Sequence, residues 1–239
     1  MTSPRTDAWR CETVRATRRA AAGMARVRGI LHVMALCGAL IPGAVAAAAA
    51  PGSRWLSLSA LAGSAQPIAA MADYQWDVRP HVAWGAQFLA GMGPFAAGLR
   101  WWQGGTTQSV NLAGVADPAV RTGSVELVAR ARVARWRRLQ LQAMASGGRL
   151  SIRYRPDRLV IDAGGTPLDV TLQPLHEWVA GAGAALELPL NDRWAVAFET
   201  ERRLYALDTA HRSGSTVTFA RETFGDWDAR CALSRGWNW

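Results

Sequence analysis

The sequence of 239 residues contains no lysine, and two of its three cysteines lie within the first fifty residues. All 27 basic residues are therefore arginines, which we interpret mainly as a bias in composition. Because Cys231 is the one cysteine beyond residue 50, an internal disulfide is excluded from the rest of the chain. Charged residues make up only 19% and hydrophobic residues 50%, so intrinsic disorder is excluded as well. The length allows one folded domain or two.

Residues 1–50 have the pattern of a secretory signal that is cleaved after export. Arginines precede the apolar run GILHVMALCGALIPGAVAAAAA, and small residues near 46–50 offer an Ala-x-Ala cleavage site. The long basic region suggests Met24 as an alternative start. A retained membrane anchor is the alternative, disfavoured by the proline and glycines within the run. Residues 51–239 hold 20 arginines against 16 acidic residues, a mild excess that does not indicate a nucleic-acid partner.

From Arg54 onward the apolar residues recur with a period of two, which is the period of a β-strand. The segment SVELVARARVARW (124–136) places Val125 and Leu127 on one face, with Glu126 on the other. Many such segments approach the nine to eleven residues that a tilted strand needs to cross a bilayer. The pattern predicts about eight strands, near residues 55–65, 81–90, 95–103, 124–136, 139–146, 178–190, 193–205 and 227–239.

The connections between these strands alternate between short and long. Tight turns are predicted at 91–94, 137–138 and 191–193, whereas long polar segments such as 103–123 and 208–226 join the other pairs. Short turns at one end, long loops at the other and an even number of strands are typical of an outer-membrane barrel.

The tryptophans form two groups when placed on this path. Membrane interfaces favour indole, which has an apolar body and a polar N–H, so two groups at opposite ends indicate two interfaces. The sequence therefore predicts an all-β fold over residues 51–239, an antiparallel up-and-down transmembrane β-barrel with short periplasmic turns and long outer loops. Trp55, Trp136, Trp194, Trp237 and Trp239 belong to the short-turn end, and Trp101, Trp102, Trp178 and Trp227 to the long-loop end.

Residues 54–239 resemble the small eight-stranded outer-membrane β-barrel proteins of Gram-negative bacteria, the OmpA-type transmembrane barrel and its relatives. The resemblance rests on the alternation, the loop asymmetry and the terminal WNW. It implies the outer membrane of a Gram-negative bacterium, with lipids including lipopolysaccharide as partners. It also implies that the barrel-assembly machinery reads the C-terminal strand, with Trp239 as the terminal aromatic supported by Trp237 and Leu233. Arg235 interrupts the outward apolar face of that strand and must reach the headgroups, unless the register differs.

The faces predicted to line the lumen carry charges of both signs. Mixed charges in a narrow lumen can pair, whereas a single buried charge is prohibitive. We therefore expect a packed salt-bridge core; a gated path for ions or solutes through the same charges is the alternative. The predicted network consists of Arg100, Glu126, Arg130, Arg132, Glu187, Glu199, Glu201, Arg203, Asp228 and Arg230, with Gln87, Gln140 and Gln142 beside it.

One segment offers candidates for catalysis. His211 and Ser213, with Glu222 further along, resemble the His-x-Ser-Asn stretch of outer-membrane lipid A deacylases, although Gly214 stands at the asparagine position. No metal site, cofactor motif or nucleic-acid motif is predicted. The leading hypothesis is a barrel without enzymatic activity that has a structural or surface-interaction role through its outer loops. A lipid A-modifying hydrolase, a small pore and a soluble lipocalin-like barrel are the alternatives.

Overall fold

The computed structural model describes residues 54–68, 78–109, 115–162, 167–213 and 216–238. No helix within these ranges is long and apolar enough to cross a membrane. The predicted signal at 1–50, its alternative start at Met24 and the terminal Trp239 lie outside the described residues. The strands are β1 (Arg54–Ile68), β2 (His81–Met92), β3 (Phe95–Thr107), β4 (Ala119–Trp136), β5 (Leu139–Arg155), β6 (Arg158–Asp162), β7 (Pro167–Thr171), β8 (Leu175–Pro189), β9 (Trp194–Ser213) and β10 (Thr216–Asn238).

Eight of these strands form a closed antiparallel barrel in the order β1-β10-β9-β8-β5-β4-β3-β2. The last strand closes the ring against the first, in a register that runs from Trp55 opposite Asn238 to Ile68 opposite Gly225. Closure satisfies the backbone of both strands, so no sheet edge faces lipid along this seam. The predicted all-β, up-and-down barrel of about eight strands is confirmed.

The three predicted short turns are confirmed. Two residues separate β2 from β3 and β4 from β5, and four separate β8 from β9. Gly93 and Arg137 adopt positive φ angles of 59° and 54° in the first two of these turns. This left-handed conformation suits a tight hairpin and is uncommon for a residue with a Cβ, such as Arg137.

The long connections differ from the prediction. Segments 103–123 and 208–226 were expected to be loops, but β3 and β4 extend into both ends of the first and β9 and β10 extend through most of the second. The segment between β5 and β8 also contains an additional hairpin, β6–β7. Polar residues were interpreted as marking the positions where strands end. A strand that extends beyond the membrane has water on both faces, however, and it tolerates polar side chains on both. Threonine and valine near 216–218 favour such an extended conformation.

The barrel is apolar outside and polar inside, as the alternation predicts. On β10, Asp228, Arg230 and Ala232 are buried, whereas Trp227 and Leu233 are exposed. Because this arrangement reverses that of a soluble barrel, lipid is the medium that the exterior matches. Exposed apolar side chains on the other strands include Leu58, Val82, Phe88, Leu99, Val125, Leu127, Leu141, Leu186, Val196 and Phe198.

Candidate functional site in the barrel lumen

A network of charged side chains fills the middle of the lumen. Eight of its ten predicted members are buried: Arg100, Glu126, Arg130, Glu199, Glu201, Arg203, Asp228 and Arg230. Arg132 and Glu187 are half-buried toward the short turns. Arg132 donates a hydrogen bond to the carbonyl of Gly93 at 3.3 Å, and Glu187 accepts one from Gln142 at 3.2 Å. The structure therefore places eight of the ten residues inside the barrel and the other two at its short-turn end.

Glu201 lies at the centre of this network. Its carboxylate accepts hydrogen bonds from the guanidinium groups of Arg100, at 2.6 Å, and of Arg230. The hydroxyl of Ser146 donates a third, at 2.5 Å. Arg100 also pairs with Glu126, so this ion pair links β3 and β4 to β9 across the lumen.

Arg203 organises the part of the network nearer the long connections. Its guanidinium contacts Asp226 at 2.8 Å, Asp228 at 2.9 Å and Glu126 at 3.2 Å. Asp226 also accepts a hydrogen bond from the hydroxyl of Tyr205 at 2.9 Å. Asp226 is not among the predicted lumen charges, because residues 208–226 were expected to form a loop. Its two-residue spacing from Asp228 was the available signal.

Arg130 and Glu199 form the part of the network nearer the short turns. They pair directly, and Arg130 also donates to the side-chain oxygen of Gln87 at 3.1 Å. Arg230 connects this pair to the centre, with its Nε 3.6 Å from Glu199 and its guanidinium 5.4 Å from the ring centroid of Trp102. Each buried arginine in the described part of the chain therefore has at least one carboxylate partner.

Glycines stand opposite four network residues in the strand register. Gly63 faces Arg230, Gly148 faces Glu126, and Gly183 faces Glu201. Gly181 likewise faces Arg203. A Cβ built on Gly183 would lie 2.0 Å from the carbonyl oxygen of Thr200, and one built on Gly63 would lie equally close to that of Ala229. The glycines thus allow close strand packing and leave lumen volume for the long charged side chains.

Apolar side chains cover the network toward the long connections. A buried cluster contains Val78, Val120, Leu150, Ile152, Val179, Tyr205, Leu207 and Phe224. A cavity beside this cluster, lined in part by His81, Tyr205 and Asp226, has a volume of about 10 Å³. That is roughly the space for one water molecule. A second apolar cluster, of Leu89, Ala96, Val128 and Met144, lies toward the short turns.

Most of the predicted interface tryptophans are exposed on the exterior, but two are not. Trp55 packs against the inward-facing cluster around Leu89, and Trp102 is buried in the lumen. The predicted outward position of Trp55 is wrong, and Trp102, which was grouped with the tryptophans of the long-loop end, also faces inward. A strand's alternation places both residues on the same face as the charges. The exposed tryptophans are Trp136, Trp194 and Trp237 near the short turns, and Trp84, Trp101, Trp178 and Trp227 near the long connections.

Arg235 faces outward in the predicted register. Its guanidinium lies 5.8 Å from the ring centroid of Trp194 and 5.4 Å from that of Trp237. The aromatic faces attract the cation, and the position near the strand end lets it reach the headgroups. The interruption of the apolar face is therefore compatible with the register.

The catalytic candidates lie near the tip of the β9–β10 hairpin. The side chains of His211 and Ser213 lie outside the described residues, whereas Glu222 accepts a hydrogen bond from Thr209 at 2.8 Å. In the strand register Glu222 is opposite Leu207, four residues from His211. Four residues of strand span about 13 Å, which exceeds the reach of a glutamate that must orient a histidine. Glu222 is therefore not placed beside His211 along the two strands, and catalysis by His211 and Ser213 stays a prediction.

No protein-family model matches the chain, and no curated protein matches its sequence. Solved structures with a similar fold include Neisserial surface protein A, at 8% identity and a TM-score of 0.42, covering 77% of this chain and 98% of that one. Outer membrane protein OprG from Pseudomonas aeruginosa is 12% identical with a TM-score of 0.42, covering 78% and 97%. Outer membrane protein AlkL, solved in lipid bilayers, is 12% identical with a TM-score of 0.43, covering 81% and 94%.

Because the sequence identities and TM-scores are low, these structures are similar in general fold only. The features of the barrel itself identify it as a membrane protein. Its eight strands close without an edge, its charges are paired inside, and its exterior is apolar with exposed tryptophans near both ends. A surface of this kind is stable only against lipid, and closed barrels are the β-structures that cross membranes. The protein is an eight-stranded transmembrane β-barrel of the outer membrane.

Proposed function

We propose that the protein is a non-conducting outer-membrane barrel that holds its outer strands and hairpins at the cell surface for interaction. The main support for this proposal is that ion pairs and apolar clusters fill the lumen at several levels along the barrel. Eight strands enclose an interior about wide enough for side chains. The bonds across the lumen must break before a solute can pass, which favours a plug over the alternative of a small pore.

Planar-bilayer recordings test the absence of conductance. The refolded protein is expected to give no steady channel steps, and an established porin serves as the positive control for insertion. Steady steps whose selectivity changes in the Glu199→Gln or Arg130→Gln variant would contradict the proposal, since both residues lie in the cross-lumen contacts.

The outer end supplies the surface for interaction. β9 pairs with β8 only as far as Tyr205, whereas it pairs with β10 as far as Ser213. The eight further residues extend the hairpin by about 26 Å. Exposed apolar side chains at this end include Val160 on β6 and Phe219 on β10.

Replacement of residues 158–171, which form the β6–β7 hairpin, by a short Gly/Ser linker tests this role. We expect an unchanged barrel, shown by heat-modifiable migration on a detergent gel, together with reduced attachment of expressing cells to host cells or to one another. A matched variant with a rebuilt short turn at 137–138 controls for general effects on surface display. Unchanged attachment in the hairpin variant would contradict a role for this hairpin.

We also propose that outer-membrane lipids, including lipopolysaccharide, surround the exterior and that the barrel-assembly machinery recognises the C-terminal strand. Leu233 and Trp237 both face outward on β10, which supports such recognition. Removal of the terminal tryptophan, Trp239, should slow assembly in cells more than refolding in detergent. Equal effects in both settings would contradict a dependence on the machinery.

A further inference from the structure

Three exposed arginines share one patch on the outside of the barrel. Arg121 on β4 is directly opposite Arg153 on β5, and Arg155 lies two residues further along the same face of β5. Like charges directly opposite each other on neighbouring strands destabilise a sheet. Among the described residues, no carboxylate forms an ion pair with any of the three. The arrangement therefore leaves a concentrated positive charge that an external anion can neutralise.

The three arginines line a groove of about 650 Å³. Tyr154, Pro156 and Asp157 complete its lining. The Asp157 carboxylate offsets one of the three positive charges, so the groove keeps an excess of two. The groove is open to the outside, and its volume is large enough to hold a lipid headgroup against the surface.

The groove lies just beyond the ring of tryptophans near the long connections. Arg149 on β5 is stacked over Trp178, with its guanidinium 4.8 Å from the ring centroid. Arg153 is four residues further along the same strand, about 13 Å beyond Arg149. In a strand tilted by about 45°, this distance corresponds to about 9 Å along the membrane normal. It places Arg153 at the outer edge of a headgroup layer about 5–7 Å deep, within reach of its long side chain. The groove thus faces lipid headgroups rather than the lumen.

We propose that Arg121, Arg153 and Arg155 bind the phosphate of an anionic glycolipid in the outer leaflet. A guanidinium group donates two parallel hydrogen bonds to phosphate oxygens, and it remains charged at every physiological pH. The cluster holds one phosphorylated headgroup at this point of the circumference, in addition to the general contact between lipid chains and the apolar exterior. A lipid headgroup fits better than a free phosphate because the groove opens onto the lipid-facing side.

The test uses the refolded chain in detergent micelles, titrated with bisphosphorylated lipid A. The Arg121→Gln/Arg153→Gln/Arg155→Gln variant should bind it roughly 100-fold more weakly, since each arginine near an anionic surface contributes about a factor of five. The matched control replaces Arg135, Arg138 and Arg193, which are exposed at the short-turn end, by glutamine. This control removes the same charge and should retain the affinity.

Four outcomes decide the proposal. Loss of affinity confined to the outer triple variant, and absent for dephosphorylated lipid A, supports it. Equal losses in the two triple variants would overturn it in favour of general electrostatic attraction. Unchanged affinity in the outer variant, with heat-modifiable migration showing an intact barrel, would also overturn it. Inorganic phosphate that displaces the lipid at equal concentration would identify a site for free anions instead.

Discussion

Arginines inside the barrel and arginines outside it have opposite environments, although the sequence uses the same residue for both. Inside, Arg100 and Arg203 are buried and each contacts more than one carboxylate. Outside, Arg149 and Arg235 rest on tryptophan rings, whereas Arg121 faces another arginine. In the lumen the charges are paired within the chain and connect strands across the barrel. On the exterior they are left to lipid, aromatic faces and water, so the same substitution should have very different effects in the two places.

The largest difference is expected at Glu201, the carboxylate shared by Arg100 and Arg230. Glu201→Leu leaves two buried arginines without this partner and should lower the free energy of unfolding by about 3–5 kcal/mol. Guanidinium titration in lipid vesicles measures the change. Arg153→Gln on the exterior should shift the same curve by less than about 0.5 kcal/mol. Equal losses of unfolding free energy in the two variants would show that charged residues in the lumen and on the exterior contribute equally to stability.

A double-mutant cycle sharpens this result. Arg100→Met combined with Glu201→Leu removes both charges of one pair, so its destabilisation should be smaller than the sum of the two single changes by about 1–3 kcal/mol. Additive effects would show that the two residues do not interact in the folded barrel.

The next largest effect is expected at Gly183, which faces Glu201. A Cβ at this position would collide with the backbone of β9, so Gly183→Ala should cost about 1–3 kcal/mol in unfolding free energy. The neighbouring Ala182 is exposed on the lipid side, and Ala182→Val should leave the value nearly unchanged. A greater loss from the outward substitution would contradict the close packing around the network.

A smaller effect is expected for Arg235. Arg235→Ala removes a cation from two indole rings and should cost about 1 kcal/mol, and Arg235→Lys should retain part of this. Guanidinium titration of the three proteins in the same vesicles gives the comparison. Greater stability of the alanine variant would show that the Arg235 charge destabilises the barrel despite its contacts with the two indole rings.

The smallest effect is expected at the β6–β7 hairpin, outside the membrane. The Arg158 guanidinium, 2.6 Å from Asp169 through its Nε, holds the pKa of the Asp169 carboxyl below its ordinary value of 3.8. A depressed pKa means that the pair stabilises the hairpin fully above pH 3.8, and that this contribution disappears as the pH falls through the lower pKa of the folded state. Solvent and salt screen a fully exposed pair, so the effect is local.

Hydrogen exchange of the hairpin amides measures this contribution. Their protection should fall below about pH 3.8, after correction for the intrinsic rate, and the Asp169→Asn variant should lack this dependence. An identical pH profile in the variant would show that the pair does not stabilise the hairpin.

The fold could be predicted from the sequence because a membrane barrel repeats one simple pattern. The alternation that placed Glu199 and Arg203 inside and Val196 and Phe198 outside depends only on the strand period. The same period should have placed Trp55 and Trp102 inside, but the preference of tryptophan for interfaces outweighed it in our interpretation. The strand period takes precedence over residue type when the two disagree.

Other features could not be predicted because they depend on pairings that the sequence does not specify. Arg121 and Arg153 become neighbours only through the register of β4 with β5, and the glycines face charges only through the registers of three strand pairs. Segment 208–226 was assigned to a loop because polar strands outside the membrane have no apolar face to reveal them. Asp226 was missed for the same reason.

The charged network also bears on the order in which the barrel can assemble. Arg100 and Glu201 are 101 residues apart in sequence, and Arg203 lies 77 residues from Glu126. These pairs connect β3 and β4 to β9, with β5 and β8 between them along the wall. A sheet of the first strands alone contains the Arg100–Glu126 pair, but Arg130 lacks its carboxylate partner and Arg100 and Glu126 lack their second partners on β9. The full set of ion pairs exists only once the sheet has closed into the barrel. The charges therefore stabilise the complete barrel relative to any open intermediate.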